Sequence, residues 1–132
     1  MNSKLLHRET TREILAAFYT VYNELGYGFL ESVHKNALSV ELEIRNVAVQ
    51  REVPIEIVYM GKHVGQFRID MLVDNKVLVE VKSGSAITDA DTRQRFNYLR
   101  ASKNRVGLLL QFGPNPAQKR FIWTGKNFNS QS

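Results

Sequence analysis

Apolar residues recur at two different periods along this chain, and the point where the period changes divides it. Ile14, Leu15, Phe18, Val21, Tyr22 and Leu25 follow one another at steps of three and four, the spacing that gathers one face of an α-helix. Just upstream, Thr10-Thr11-Arg12-Glu13 has the form of a capping box, in which a hydroxyl and a carboxylate satisfy free N–H groups of the first turn. Gly26 and Gly28 interrupt the pattern. Leu30, Val33, Ala37, Val40 and Ile44 then resume it, which predicts a second helix to about Arg45 with Gly28 at the junction. From Val47 the period becomes two. Pro54 cannot donate to a ladder and is tolerated only at a strand start or on an edge. Ile55 to Tyr59 and Val64 to Val73 read as strands joined by a turn at Met60-Gly61-Lys62. In the second of them Phe67, Ile69, Met71 and Val73 should point one way, Arg68 and Asp70 the other. Lys76 to Lys82 follows, with Val77, Val79 and Val81 opposite Leu78, Glu80 and Lys82. Thr88 opens a third helix to about Ser102. Val106 to Phe112 is nearly continuous in apolar residues, as in a strand covered on both faces. Gly113-Pro114-Asn115-Pro116 stops it, and Arg120 to Trp123 adds an edge strand. The expected order is ααββββαβ(β), a mixed α/β fold occupying residues 1–132 as a single domain, with polar tails at about 1–8 and 124–132.

Composition narrows the function classes. The chain has 132 residues, 43% hydrophobic and 23% charged, which suits one globular core. Eighteen Lys and Arg against 13 Asp and Glu leave a charge of +5, which favours a polyanionic partner such as DNA or RNA. The absence of cysteine excludes disulfides, thiolate zinc sites and cysteine nucleophiles. The first ten residues lack the apolar stretch of a secretory signal, and no run approaches the roughly 18 apolar residues of a bilayer span. A cytoplasmic protein without membrane contact is the expectation. The oligomeric state is left open, a homodimer included.

Chemistry concentrates on one predicted hairpin. Asp70 precedes Glu80 by ten residues, and Lys82 follows two residues later on the same strand face as Glu80. Hard divalent cations take oxygen ligands from one or two carboxylates, completed by phosphate and water. Asp70 and Glu80 could therefore hold Mg²⁺ or Mn²⁺, and the Lys82 ammonium could orient or deprotonate the attacking water. Such a site requires the two acids on one face. A two-residue turn at Asp74-Asn75 would pair Asp70 with Val79 and turn Glu80 away, because directly opposed residues share a face. The expectation is therefore a three-residue connection, Asp74-Asn75-Lys76, that pairs Asp70 with Glu80, or else a β-bulge between them.

Further residues converge. Gly28, Glu31 and His34 place the last two one turn apart on the second helix, and Gln94 and Tyr98 stand at i,i+4 on the third, opposite Phe96 and Leu99. The third helix and its exit also carry Arg93, Arg95, Arg100, Lys103 and Arg105. With Gly28 and Glu31, Arg68 and Asp70, Glu80 and Lys82, and Asn97-Tyr98-Leu99, the chain resembles the GxxExxY family of the PD-(D/E)XK nuclease superfamily over roughly Phe18 to Trp123. That resemblance implies a restriction-endonuclease-like core, a mixed β-sheet flanked by helices with the acids on the central hairpin. It implies Asp70 and Glu80 as metal ligands and Lys82 as the catalytic lysine. Glu31 would be a helix-borne acid completing the metal site, and Gln94 and Tyr98 would match the Q-x-x-x-Y motif that orders the site and engages substrate. Arg68, Arg93, Arg95, Arg100 and Lys103 would bind nucleic acid. The family's tyrosine is replaced by His34, which could bind metal or phosphate or simply hydrogen-bond locally. Phe18, Tyr19, Tyr22 and Phe29 are expected in the core, and His7 and His63 have no evident partners. The leading function is a metal-dependent nuclease. Its competitors are a nuclease-like module that binds nucleic acid or protein without turnover, and a hydrolase of another phosphate ester.

Overall fold

Val77, Val79 and Val81 are buried on one face of the sheet and Leu78 on the other, so helices must cover both sides. The computed structural model describes residues 6–84 and 86–125, and parts of both expected polar tails lie outside them. The elements are α1 (Arg8–Leu25), α2 (Glu31–Ile44), β1 (Val49–Tyr59), β2 (Lys62–Val73), β3 (Val77–Ser83), α3 (Asp89–Ser102), β4 (Val106–Phe112) and β5 (Pro116–Ile122). They form a five-stranded sheet in the order β1-β2-β3-β4-β5, antiparallel except for the parallel pair β3 and β4, whose crossover is α3. One core layer joins Ile14, Phe18, Leu38 and Leu42 of α1 and α2 to Met71, Val79, Leu110 and Phe112. The other joins Leu99 of α3 to Ile69, Leu72, Leu78, Leu109 and Phe121. The mixed sheet flanked by helices is the fold class read from the sequence.

Several details differ, each for a local reason. Three strands rather than four precede α3, because Pro54 lies within β1, an edge strand, where a missing N–H leaves no partner unsatisfied. The capping box at Thr10 does not form. The helix already begins at Arg8, so Thr11 Oγ1 donates back to the carbonyls of His7 and Arg8 at 3.1 and 3.0 Å, while Thr10 Oγ1 donates to Asp74 at 3.1 Å. Phe67 and Ile69 do not share a face with Met71 and Val73. The first pair packs with the α3 layer, the second with the α1 and α2 layer. The phase of the pleat slips at Glu52, whose φ of 52° is left-handed and which drops out of the ladder between Arg51↔Met71 and Val53↔Ile69.

The connection from β2 to β3 sets everything downstream. Val73 pairs with Val77, leaving a three-residue connection, with Asp74 and Asn75 left-handed at φ 52° and 56°. Lys76 N–H closes the turn on Val73 O at 3.0 Å, and Asp74 N–H is fixed to Ala48 O at 2.8 Å. Left-handed backbone costs an ordinary L-residue roughly 1–2 kcal/mol, and Asn and Asp somewhat less. Asn75→Ala is therefore expected to lose about 1 kcal/mol and Asn75→Gly to lose nothing or gain slightly, as read from urea unfolding midpoints.

Candidate active site

The β2–β3 ladder ends at Met71↔Val79, and the next residues in register are Asp70 and Glu80. Instead of exchanging backbone bonds there, the strands part and the two carboxylates fill the fork. Asp70 N–H donates to Glu80 Oε2 at 2.8 Å, and Val81 N–H donates to Asp70 Oδ2 at 2.7 Å. Beyond the fork β2 pairs only with β1, and β3 continues along β4 to Ser83. Glu80 is 4% exposed. Its burial and then the charge of Asp70 push its pKa up to about 8, well above the ordinary carboxyl range.

Three basic side chains ring the pair. From α2, Lys35 Nζ lies 3.3 Å from Asp70 Oδ1 and 3.3 Å from Glu52 Oε1. Burial opposes the charge of Lys35, but Asp70 and then Glu52 outweigh it and hold the pKa above the ordinary lysine value. From α3, Arg95 Nε lies 3.8 Å from Glu80 Oε1 and Nη1 3.6 Å from Asp91 Oδ1. Arg95 Nε is the one buried side-chain polar atom without a hydrogen-bond partner among the described residues. Lys82 donates to Asp91 and to the Ala86 carbonyl, the latter at 3.1 Å. Asp91 also closes a true capping box with Thr88 at the start of α3. The Lys82 hydrogen bond, then the Thr88 N–H, hold its carboxyl well below the usual range.

The remaining residues expected in the site are dispersed. Glu31 is exposed in the first turn of α2, and among the described residues no group of three or more metal-ligating side chains occurs. His34 is fully buried and stacked on Phe112 at 4.1 Å, with Nε2 3.2 Å from Gly26 O and Nδ1 2.7 Å from Ser83 Oγ. A carbonyl can only accept, so Nε2 carries the proton and Nδ1 accepts from Ser83. Burial lowers the pKa of the ring, and with both nitrogens engaged it is a structural residue. Tyr98 stacks on Phe67 at 3.8 Å, and with Gln94, Arg93, Asn97, Arg100 and Ile57 it lines a cleft of about 450 Å³. Arg95 turns in toward Glu80. Arg93 and Lys103 are exposed, whereas Arg68 is exposed on the opposite side of β2 from Phe67 and therefore away from α3. Phe29 and Tyr19 are not core residues, being 48% and 39% exposed. Sequence reading missed Lys35, Glu52 and Asp91. Lys35 could have been noticed one turn beyond Glu31, and Asp91 three residues after Thr88; nothing marks Glu52.

A largely buried carboxylate pair at a forked hairpin, followed by a lysine and backed by a helix crossover, gives this site its form. The sequence profile of the PD-(D/E)XK nuclease superfamily matches residues 8–121, and the chain belongs to that superfamily. Nucleases of this superfamily generally use divalent metal ions and act on nucleic acid. No curated protein matches the chain. A solved structure titled "Crystal structure of SSO0001" is similar with a TM-score of 0.54 at 20% identity, over 92% of this chain and 61% of that one, which shows a shared fold. This chain therefore spans less than two thirds of that protein's length. No helix among the described residues is long and apolar enough to cross a membrane.

The raised pKa of Glu80 has a sign that stability can read. A carboxyl whose pKa is higher folded than unfolded stabilises the fold fully below the ordinary carboxyl range, and that contribution is lost as pH rises through about 8. In chelator, the melting temperature is expected to fall between about pH 5 and 8, and Glu80→Gln should remove most of that slope. Thermal melts of both proteins across this range make the comparison.

Proposed function

We propose that the chain is a metal-dependent nuclease of the GxxExxY type that hydrolyses phosphodiester bonds in DNA or RNA. The carrying observation is the register that brings Asp70 and Glu80 together at a fork where backbone pairing stops. The donor set fits a hard divalent cation. Both groups offer carboxylate oxygens, and burial together with the neighbouring Asp70 charge raises the proton affinity of Glu80, a strain that a bound cation would relieve. Asp70 and Glu80 would hold Mg²⁺ or Mn²⁺, with Glu31 reaching the ion through water. When bound, the ion would polarise the phosphate and lower the pKa of a coordinated water.

The protein's own groups divide the remaining work. Lys82, tethered by Asp91 on the Glu80 side, would position the attacking water or neutralise the leaving oxygen. Gln94 and Tyr98 would hold the strand at the cleft beside α3, where Arg93, Arg100 and Lys103 would meet flanking phosphates. The pairing of Lys82 with Asp91 favours a second reading, a nuclease-like module that binds without turnover. A metal-titrated assay on single-stranded and duplex DNA and RNA separates them. Cleavage that requires Mg²⁺ or Mn²⁺ and falls at least about 10³-fold in Asp70→Asn and Glu80→Gln is expected. Binding without cleavage at any metal concentration would select the second reading.

Arg93 supplies an independent check on the nucleic-acid face. Each lost duplex phosphate contact lowers the slope of log affinity against log salt by about 0.9. Arg93→Gln is expected to flatten the slope by about that amount in metal-free binding measurements. An unchanged slope would leave this face merely solvated.

A further inference from the structure

The two carboxylates each use one oxygen for the backbone. Asp70 Oδ2 accepts from Val81 N–H and Glu80 Oε2 accepts from Asp70 N–H. The outward oxygens are Asp70 Oδ1 and Glu80 Oε1, and each faces a resident cation, Lys35 at 3.3 Å and Arg95 at 3.8 Å. A divalent ion approaching Asp70 therefore meets an ammonium on the oxygen that no backbone group occupies. Lys82 offers no such competition, because Asp91 and the Ala86 carbonyl hold it.

We propose that Lys35 is a built-in competitor for the metal, a placeholder ammonium on Asp70 that must move aside before a divalent ion can bind. This rests on the reading of Asp70 as a metal ligand. The geometry suits a removable group. Charge-assisted N–H···O bonds run to about 2.7–2.9 Å, so contacts of 3.3 Å are loose ones. Lys35 also has a second carboxylate, Glu52, so the ammonium can leave Asp70 without becoming a buried unpaired charge. Glu52 stands opposite Asp70 in its left-handed conformation, at the break in the β1–β2 ladder. Backbone in that region is retained where the surroundings impose it, and here it sets a carboxylate 3.3 Å from the lysine. Lys35 thus acts as a positioning residue that sets the metal concentration at which the site fills.

The test is Mg²⁺ binding by calorimetry on the intact chain at fixed pH and salt, with wild type, Lys35→Gln, Lys35→Arg, Lys82→Gln, Asp70→Asn and Glu80→Gln. Lys35→Gln is expected to bind Mg²⁺ about three- to tenfold more tightly, the factor that corresponds to a partly exposed ion pair. Lys35→Arg, which keeps a competing cation, should stay at or below wild-type affinity. Lys82→Gln should raise affinity less than Lys35→Gln does, since its ammonium is held by Asp91 and the Ala86 carbonyl rather than on a ligand oxygen. A second measurement needs no variant. The ammonium ¹⁵N resonance of Lys35 should shift or exchange away as Mg²⁺ saturates the wild type. Unaltered affinity in Lys35→Gln, or an unmoved Lys35 resonance at saturation, would overturn the competitor role while Asp70→Asn still abolished binding. If Asp70→Asn and Glu80→Gln both left Mg²⁺ affinity unchanged, the metal reading itself would fall.

Discussion

Two carboxylates meet in a place with little water, and the neighbouring charges are arranged around that repulsion. Close like charges raise each other's proton affinity, and burial raises it further. The molecule answers with a chain of charge, Glu52–Lys35–Asp70–Glu80–Arg95–Asp91–Lys82, in which every link joins opposite charges apart from the central one between Asp70 and Glu80. That single unrelieved contact is where a cation gains most. The orphaned Arg95 Nε points to the same conclusion, because it lies beside Glu80 without a hydrogen bond and so leaves the carboxyl incompletely compensated.

The fork that exposes this pair follows from sheet topology. β3 is shared between an antiparallel partner and a parallel one, and it stays with β4 to Ser83 after leaving β2 at Val79. A parallel partner requires a crossover, and that crossover is α3, whose first turn returns beside the end of β3. A helix N-terminus disfavours a lysine next to it. Asp91 resolves the conflict by serving both, capping the helix through Thr88 N–H and pairing with Lys82. The motif lysine is therefore fixed by the same contact that starts the helix.

What the sequence made legible were features with a strong local cause. The alternation of β3 stands because valines and leucines decide both faces, and the three-residue connection stands because Asp74 and Asn75 accept left-handed backbone. What it hid depended on tertiary contact. The slip at Glu52 has no sequence signal, since glutamate is not a residue that seeks positive φ. Nothing in the sequence separates Arg95 from the other arginines of α3, and only the fold shows it turned in toward Glu80. Lys35 escaped notice because a lysine on a helix next to apolar positions is ordinary until a carboxylate is seen opposite it.

His34 shows how one buried side chain can join two elements. A tyrosine at this position would bring one hydroxyl, whereas the imidazole uses two nitrogens to join Gly26 before α2 and Ser83 at the end of β3. Protonation would turn Nδ1 into a donor and set it against its present use of the Ser83 hydroxyl as donor, and burial already favours the neutral ring. The adjacent residue, Lys35, ties the same helical turn to β1 and β2. Helix α2 is thus pinned to the site at two consecutive positions, one uncharged and one ionic. Glu31 lies about one turn before both and is exposed. Any part it takes must be played from there, through water or substrate rather than by joining the buried pair.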